Sequence, residues 1–87
     1  MTDRELFDLV NRIYRFDALP SEREMKSVVR ALTCRYKRNK CITPKDLDEV
    51  VNENLSNKTR LVCYCVDMTD SINILIKIME EMQKRSQ

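Results

Sequence analysis

The sequence predicts a small all-α domain, a four-helix bundle with a long C-terminal helix, straight or kinked, and residues 1–87 in a single unit. Three observations carry this prediction. Apolar residues recur at three- and four-residue spacing in four separate stretches. A helix-start packet of nearly the same chemistry precedes each of the first three stretches. Glycine is absent and there are only two prolines, so sandwiches and barrels would lack their turn residues.

The first helix opens at Thr2-Asp3-Arg4-Glu5, a capping box in which the Thr oxygen accepts from the N3 amide and Glu5 reaches back. Met1 and Leu6 stand at the positions of a hydrophobic staple. Leu6, Val10, Ile13 and Tyr14, with Leu9 and Phe16 beside them, form its apolar face to about Phe16. Pro20 ends the segment, because the residue before proline avoids the α region.

Ser21-Glu22-Arg23-Glu24 is the second capping box, and Met25, Val28, Val29, Leu32 and Tyr36 the second apolar face. That helix is expected to stop near Arg38-Asn39-Lys40, with Asn39 as the left-handed cap. Thr43-Pro44-Lys45-Asp46 is the third packet, with proline at N1 and an acid at N3. Ile42 and Leu47 make its staple, and Leu47, Val50, Val51 and Leu55 its face. Ser56-Asn57-Lys58-Thr59 reads as a turn.

The last third carries the longest apolar seam. Leu61, Cys65, Met68, Ile72, Leu75, Met79 and Met82 are spaced 4, 3, 4, 3, 4 and 3. One helix over that span runs roughly 35 Å at ~1.5 Å per residue. The alternative is an α+β domain with a hairpin at 61–78, since 61–66 is β-prone and Ile72, Ile74, Ile76 and Ile78 alternate. A lone two-stranded hairpin is marginal, however, and Ile78–Lys84 continues as a good helix former. A break at Asp67–Ser71 fits a kinked helix as well as two helices.

Ile42-Thr43-Pro44-Lys45-Asp46-Leu47, following a basic helix, is similar to the second loop and third helix of histone-fold proteins. Helix two, at about 19 residues, is shorter than the long central helix of that fold, and no function is carried over.

Charge is distributed unevenly. From Arg23 to Lys45 there are eight cations and one anion, against eight cations and thirteen anions elsewhere. The cations are Arg23, Lys26, Arg30, Arg35, Lys37, Arg38, Lys40 and Lys45. On helix two Arg23, Lys26, Arg30 and Lys37 recur away from the apolar face, giving a basic ridge. Such a ridge suits nucleic-acid phosphates, an acidic protein surface, or solvent alone. Tyr36 is placed either to stack a base or, from its spacing to Leu32, at the edge of the core.

Catalytic and cofactor chemistry finds little support. Without histidine the commonest general base and zinc nitrogen ligand are both missing. Cys34, Cys41, Cys63 and Cys65 lack paired knuckle spacing, and on a helix Cys63 and Cys65 point ~200° apart. They read as small buried apolar residues in a reducing compartment, with Cys41 the candidate for reactivity. Asp46, Asp48, Glu49, Glu53, Glu80 and Glu81 read as exposed helix faces rather than an acid–base pair.

The expected function is therefore a non-enzymatic protein-interaction module or complex subunit, with no cofactor, no bound metal and no small-molecule substrate. It would act through the basic helix and an apolar C-terminal face of Met68, Ile72, Leu75, Ile76, Met79 and Met82. The partner is another protein or a second copy of the chain. The alternative is a nucleic-acid binder using the ridge of residues 23–45. No run approaches ~18 apolar residues and the N-terminus lacks the order of a signal peptide, so an intracellular location, cytoplasmic or nuclear, is expected.

Overall fold

The computed structural model describes residues 1–14, 20–55 and 68–86. Four helices follow in order: α1 (Asp3–Tyr14), α2 (Glu22–Asn39), α3 (Pro44–Asn54) and α4 (Met68–Arg85). Among the described residues there is no strand. Because α4 covers residues 72–78, the hairpin alternative is excluded there. Leu61, Cys63 and Cys65 lie outside the described residues, as do Phe16 and the turn expected at 56–59.

All three expected helix starts are built. In α1 the Thr2 hydroxyl accepts from the Glu5 amide and Glu5 Oε1 accepts from the Thr2 N–H, both at 3.1 Å. Ser21 and Glu24 make the same reciprocal pair at 3.1 and 3.2 Å, and Thr43 and Asp46 at 3.1 and 3.0 Å. Each pair satisfies two amides that helix geometry leaves without a partner, and an N-cap Ser or Thr contributes roughly 1 kcal/mol. Ile42 and Leu47, the staple of α3, are both buried. Met1 stays 55% exposed, so its half of the α1 staple is weak.

The left-handed cap of α2 falls one residue later than expected. Asn39 is still helical, and Lys40 takes φ 60°, ψ 18°, with its N–H donating to the Tyr36 carbonyl at 2.7 Å. A side chain in that region costs about 1 kcal/mol, partly offset by a cation at the negative end of the helix dipole.

Helix α2 is the centre of the domain, packing against α1, α3 and α4, while α1 also packs against α4. The core joins Leu6, Phe7, Val10, Ile13 and Tyr14 of α1 to Val28, Val29 and Leu32 of α2. Leu47, Val50 and Val51 of α3 and Ile74, Leu75, Ile78 and Met82 of α4 complete it, with Ile42 and Leu55 at the ends of α3. Phe7, absent from the expected face of α1, is 3% exposed.

The buried stripe of α4 keeps Leu75 and Met82 of the heptad seam but not Ile72, and is centred on Ile74 and Ile78 instead. Ile74, Ile78 and Met82 stand at i, i+4 and i+8 and point inward with Leu75, whereas Ile72 is 49% and Ile76 43% exposed. Met79 is half-buried at the core edge. In a straight helix the i+4 rows turn gradually about the axis, and α1 and α2 cover the row through Ile78 rather than the one through Ile72.

Side-chain bonds tie the helices laterally. The buried Tyr14 hydroxyl donates to Asp48 Oδ1, linking α1 to α3. Ser27 donates to Asn54 at 2.6 Å between α2 and α3. Thr33 donates to Val29 O at 2.9 Å and lies 3.6 Å from Met82 Sδ on α4.

Candidate functional site

Seven of the eight cations expected on the ridge are exposed: Arg23, Lys26, Arg30, Lys37, Arg38, Lys40 and Lys45. On α2, Arg23, Arg30 and Lys37 follow one another at seven-residue steps. Two helical turns fall ~20° from seven residues, so the three share nearly one azimuth, about 10.5 Å apart along the axis. Lys26 lies in the same strip and pairs with Glu22 at 3.4 Å, both well exposed, so solvent screens that pair heavily. Arg23, Arg30, Lys37, Arg38, Lys40 and Lys45 make no ion pair among the described residues.

Arg35 is committed elsewhere. Its guanidinium lies 3.2 Å from Asp46, 2.5 Å from Glu49 and 3.7 Å from Glu53, clamping α2 to α3. The clamp holds the Arg35 pKa above its ordinary value, first through the hydrogen bond to Glu49 and then through Asp46. The helical phase contained the signal: Arg35 stands seven residues from Val28 and three from Leu32, on the inward side of α2.

The exposed-face reading of the carboxylates needs correcting. Asp46 and Glu49 are half-buried against Arg35 and Asp48 against Tyr14, and Glu81 is only 7% exposed. Glu53 and Glu80 are exposed, as expected. Asp46 is held below the ordinary carboxylate range, chiefly by the Thr43 backbone N–H and further by Arg35. Glu5 is lowered in the same way by the Thr2 N–H. Folded pKa values below the unfolded ones stabilise the chain above about pH 4 and lose that effect as pH falls through the folded values. The urea midpoint should therefore drop between pH 5 and pH 3, and Asp46→Asn should flatten the drop while weakening the cap. An unchanged slope in that variant would remove Asp46 from the account.

Cysteine burial is corrected as well. Cys34 and Cys41 are free and exposed, Cys34 in the strip between Arg30 and Lys37 and Cys41 just past the Lys40 cap. Among the described residues no group of three or more His, Cys, Asp or Glu side chains is placed to hold a metal ion. Tyr36 packs half-buried against the core, so it does not stand on the ridge as a stacking platform.

Of the residues expected on an apolar interface, Leu75 and Met82 are inside the core, Met79 is at its edge, and Ile72 and Ile76 face out. The side chain of Met68 lies outside the described residues. No family model, curated protein or solved structure matches the chain. The site therefore rests on its own geometry. No helix among the described residues is long and apolar enough to cross a membrane.

Chemically, the ridge presents cations without an acceptor array, a nucleophile–base pair or a lined cleft. It can neutralise negative charge on a partner. Asp46, Glu49 and Glu53 are engaged by Arg35 rather than spread along the ridge, which leaves the positive field over the outer side of α2 intact.

Proposed function

We propose that the chain is a non-enzymatic interaction module whose working surface is the basic outer face of α2 and the α2–α3 turn, taking a partner that carries dense negative charge. One observation carries this reading: the fold engages Arg35 internally yet leaves six neighbouring cations of the same segment exposed and unpaired among the described residues. Long-range attraction from such a patch raises encounter rates at low salt and weakens as salt shortens the screening length. We place the module inside the cell, consistent with the free Cys34 and Cys41.

Self-association through α4 has less support. Leu75 and Met82 already serve the core, and among the described residues Ile72 and Ile76 form only a narrow patch. Single exposed apolar residues are ordinary on soluble proteins.

The test is retention on a heparin matrix beside an Arg30→Glu/Lys37→Glu variant. Wild-type protein should elute at clearly higher salt than the variant, with melting temperatures within about 2 °C of each other because both positions are exposed. Equal elution of the two folded proteins would remove the ridge as the working surface.

A further inference from the structure

The partner can be narrowed further. Resting on the reading of the ridge as the working surface, we infer that it binds the phosphodiester backbone of duplex nucleic acid, without sequence preference.

What the ridge lacks decides against the other polyanions. Stable protein interfaces bury an apolar or aromatic core, hold their hot spots there, and are depleted in lysine. Along the outer strip of α2 the exposed side chains are Arg23, Lys26, Arg30, Cys34, Lys37 and Arg38, with no aromatic and no large apolar anchor. A protein docked there would gain charge pairing without a desolvated centre. Single-stranded nucleic acid is held by stacking on aromatic side chains, and the one aromatic of α2, Tyr36, packs against the core. Reading of adenine edges draws on Asn or Gln, and the one such residue of the ridge, Asn39, lies about 160° around the axis from Arg23, off the strip.

What remains is what phosphate contacts need: point charges and bidentate forks along a rigid rod. Arg23 to Arg38 spans about 23 Å of helix axis at ~1.5 Å per residue, and Lys40 and Lys45 extend the charge around the turn. Fixing these cations on a capped helix lowers the ordering cost of meeting a regular array of phosphates. Glu49 and Glu53 of α3, gathered around Arg35, would repel a polyanion laid across α3. The duplex therefore lies along the strip of Arg23, Arg30 and Lys37.

The experiment is fluorescence anisotropy with two 20-bp DNA duplexes of unrelated sequence, a single strand of equal length, and polyglutamate, at 50 to 200 mM salt. Both duplexes should bind within about threefold of each other and more tightly than the single strand. With four to six phosphates neutralised, log K should fall against log salt with a slope of about −4 to −5. Arg30→Ala/Lys37→Ala should lose tenfold or more in affinity and about 2 from the slope. Polyglutamate binding without duplex binding would overturn the duplex assignment and leave the ridge as an acidic-protein surface. Single-strand binding as tight as duplex binding, or a tenfold difference between the duplexes, would overturn it too. Failure of every probe to bind would remove both the duplex and the proposed working surface.

Discussion

Leu75→Glu should unfold the chain, while Ile72→Glu and Ile76→Glu should leave its melting temperature within about 2 °C of wild type. The three residues lie within one and a half turns of α4 and are equally apolar, so the contrast comes from where α1 and α2 press. Leu75 is 7% exposed beside Ile74 and Ile78, and a carboxylate there would be buried among apolar side chains. That penalty is several kcal/mol, comparable to the ~5 kcal/mol total stability expected of a domain this size. Ile72 and Ile76 are nearly half exposed, and a charge there stays in water. Circular dichroism would show loss of helical signal at 25 °C for the first variant and cooperative melts for the other two. A cooperative, near-native melt for Leu75→Glu would sink this assignment of the core face. A concentration-dependent loss of stability in Ile72→Glu or Ile76→Glu would instead show that a second copy covers the outer stripe.

The same residues show where sequence reasoning reaches and where it stops. Helix starts were legible because capping is local: Ser21 with Glu24 and Thr43 with Asp46 are decided within four residues. The inner face of α2 was legible because it is narrow, with Val28, Val29 and Leu32 in phase and cations filling the opposite side. The stripe of α4 is apolar over most of its circumference, with Ile72, Ile74, Leu75, Ile76, Ile78 and Met79 all available to a partner. Heptad spacing then selects Ile72, Leu75, Met79 and Met82 by arithmetic, while the neighbours that arrive bury Leu75 and Met82 but take Ile74 and Ile78 in place of Ile72. The candidate site was legible to the same degree: the exposed strip follows from periodicity, but the withdrawal of Arg35 depends on α3 folding back on α2. Cys34 and Cys41 were misjudged because burial preference is a property of the residue type, whereas Cys34 falls on the charged side of α2 and Cys41 in the turn just past its cap.

Arg85→Ala should cost about 2 kcal/mol, or roughly 10 °C in melting temperature, through contacts that no local pattern announces. The guanidinium of Arg85 bonds Glu81 Oε2 at 2.8 Å on its own helix, Asp3 Oδ1 at 2.8 Å and the Met1 carbonyl at 2.9 Å, joining α4 to the start of α1. Glu81 is the one buried charged side chain among the described residues, and losing Arg85 leaves it only the N-terminal ammonium, 4.0 Å away. Removing one partner of a fully buried pair costs about 3–5 kcal/mol. Here the Arg85 side chain is 24% exposed, and solvent access lowers the figure. Most of the cost is the stranded carboxylate, so Glu81→Gln in the Arg85→Ala background should recover about 1 kcal/mol. A double-mutant cycle by urea denaturation at pH 7 measures this coupling directly. Additive losses would mean that Arg85 acts through the packing of its aliphatic stem, and that the closure of α4 onto α1 is apolar rather than ionic.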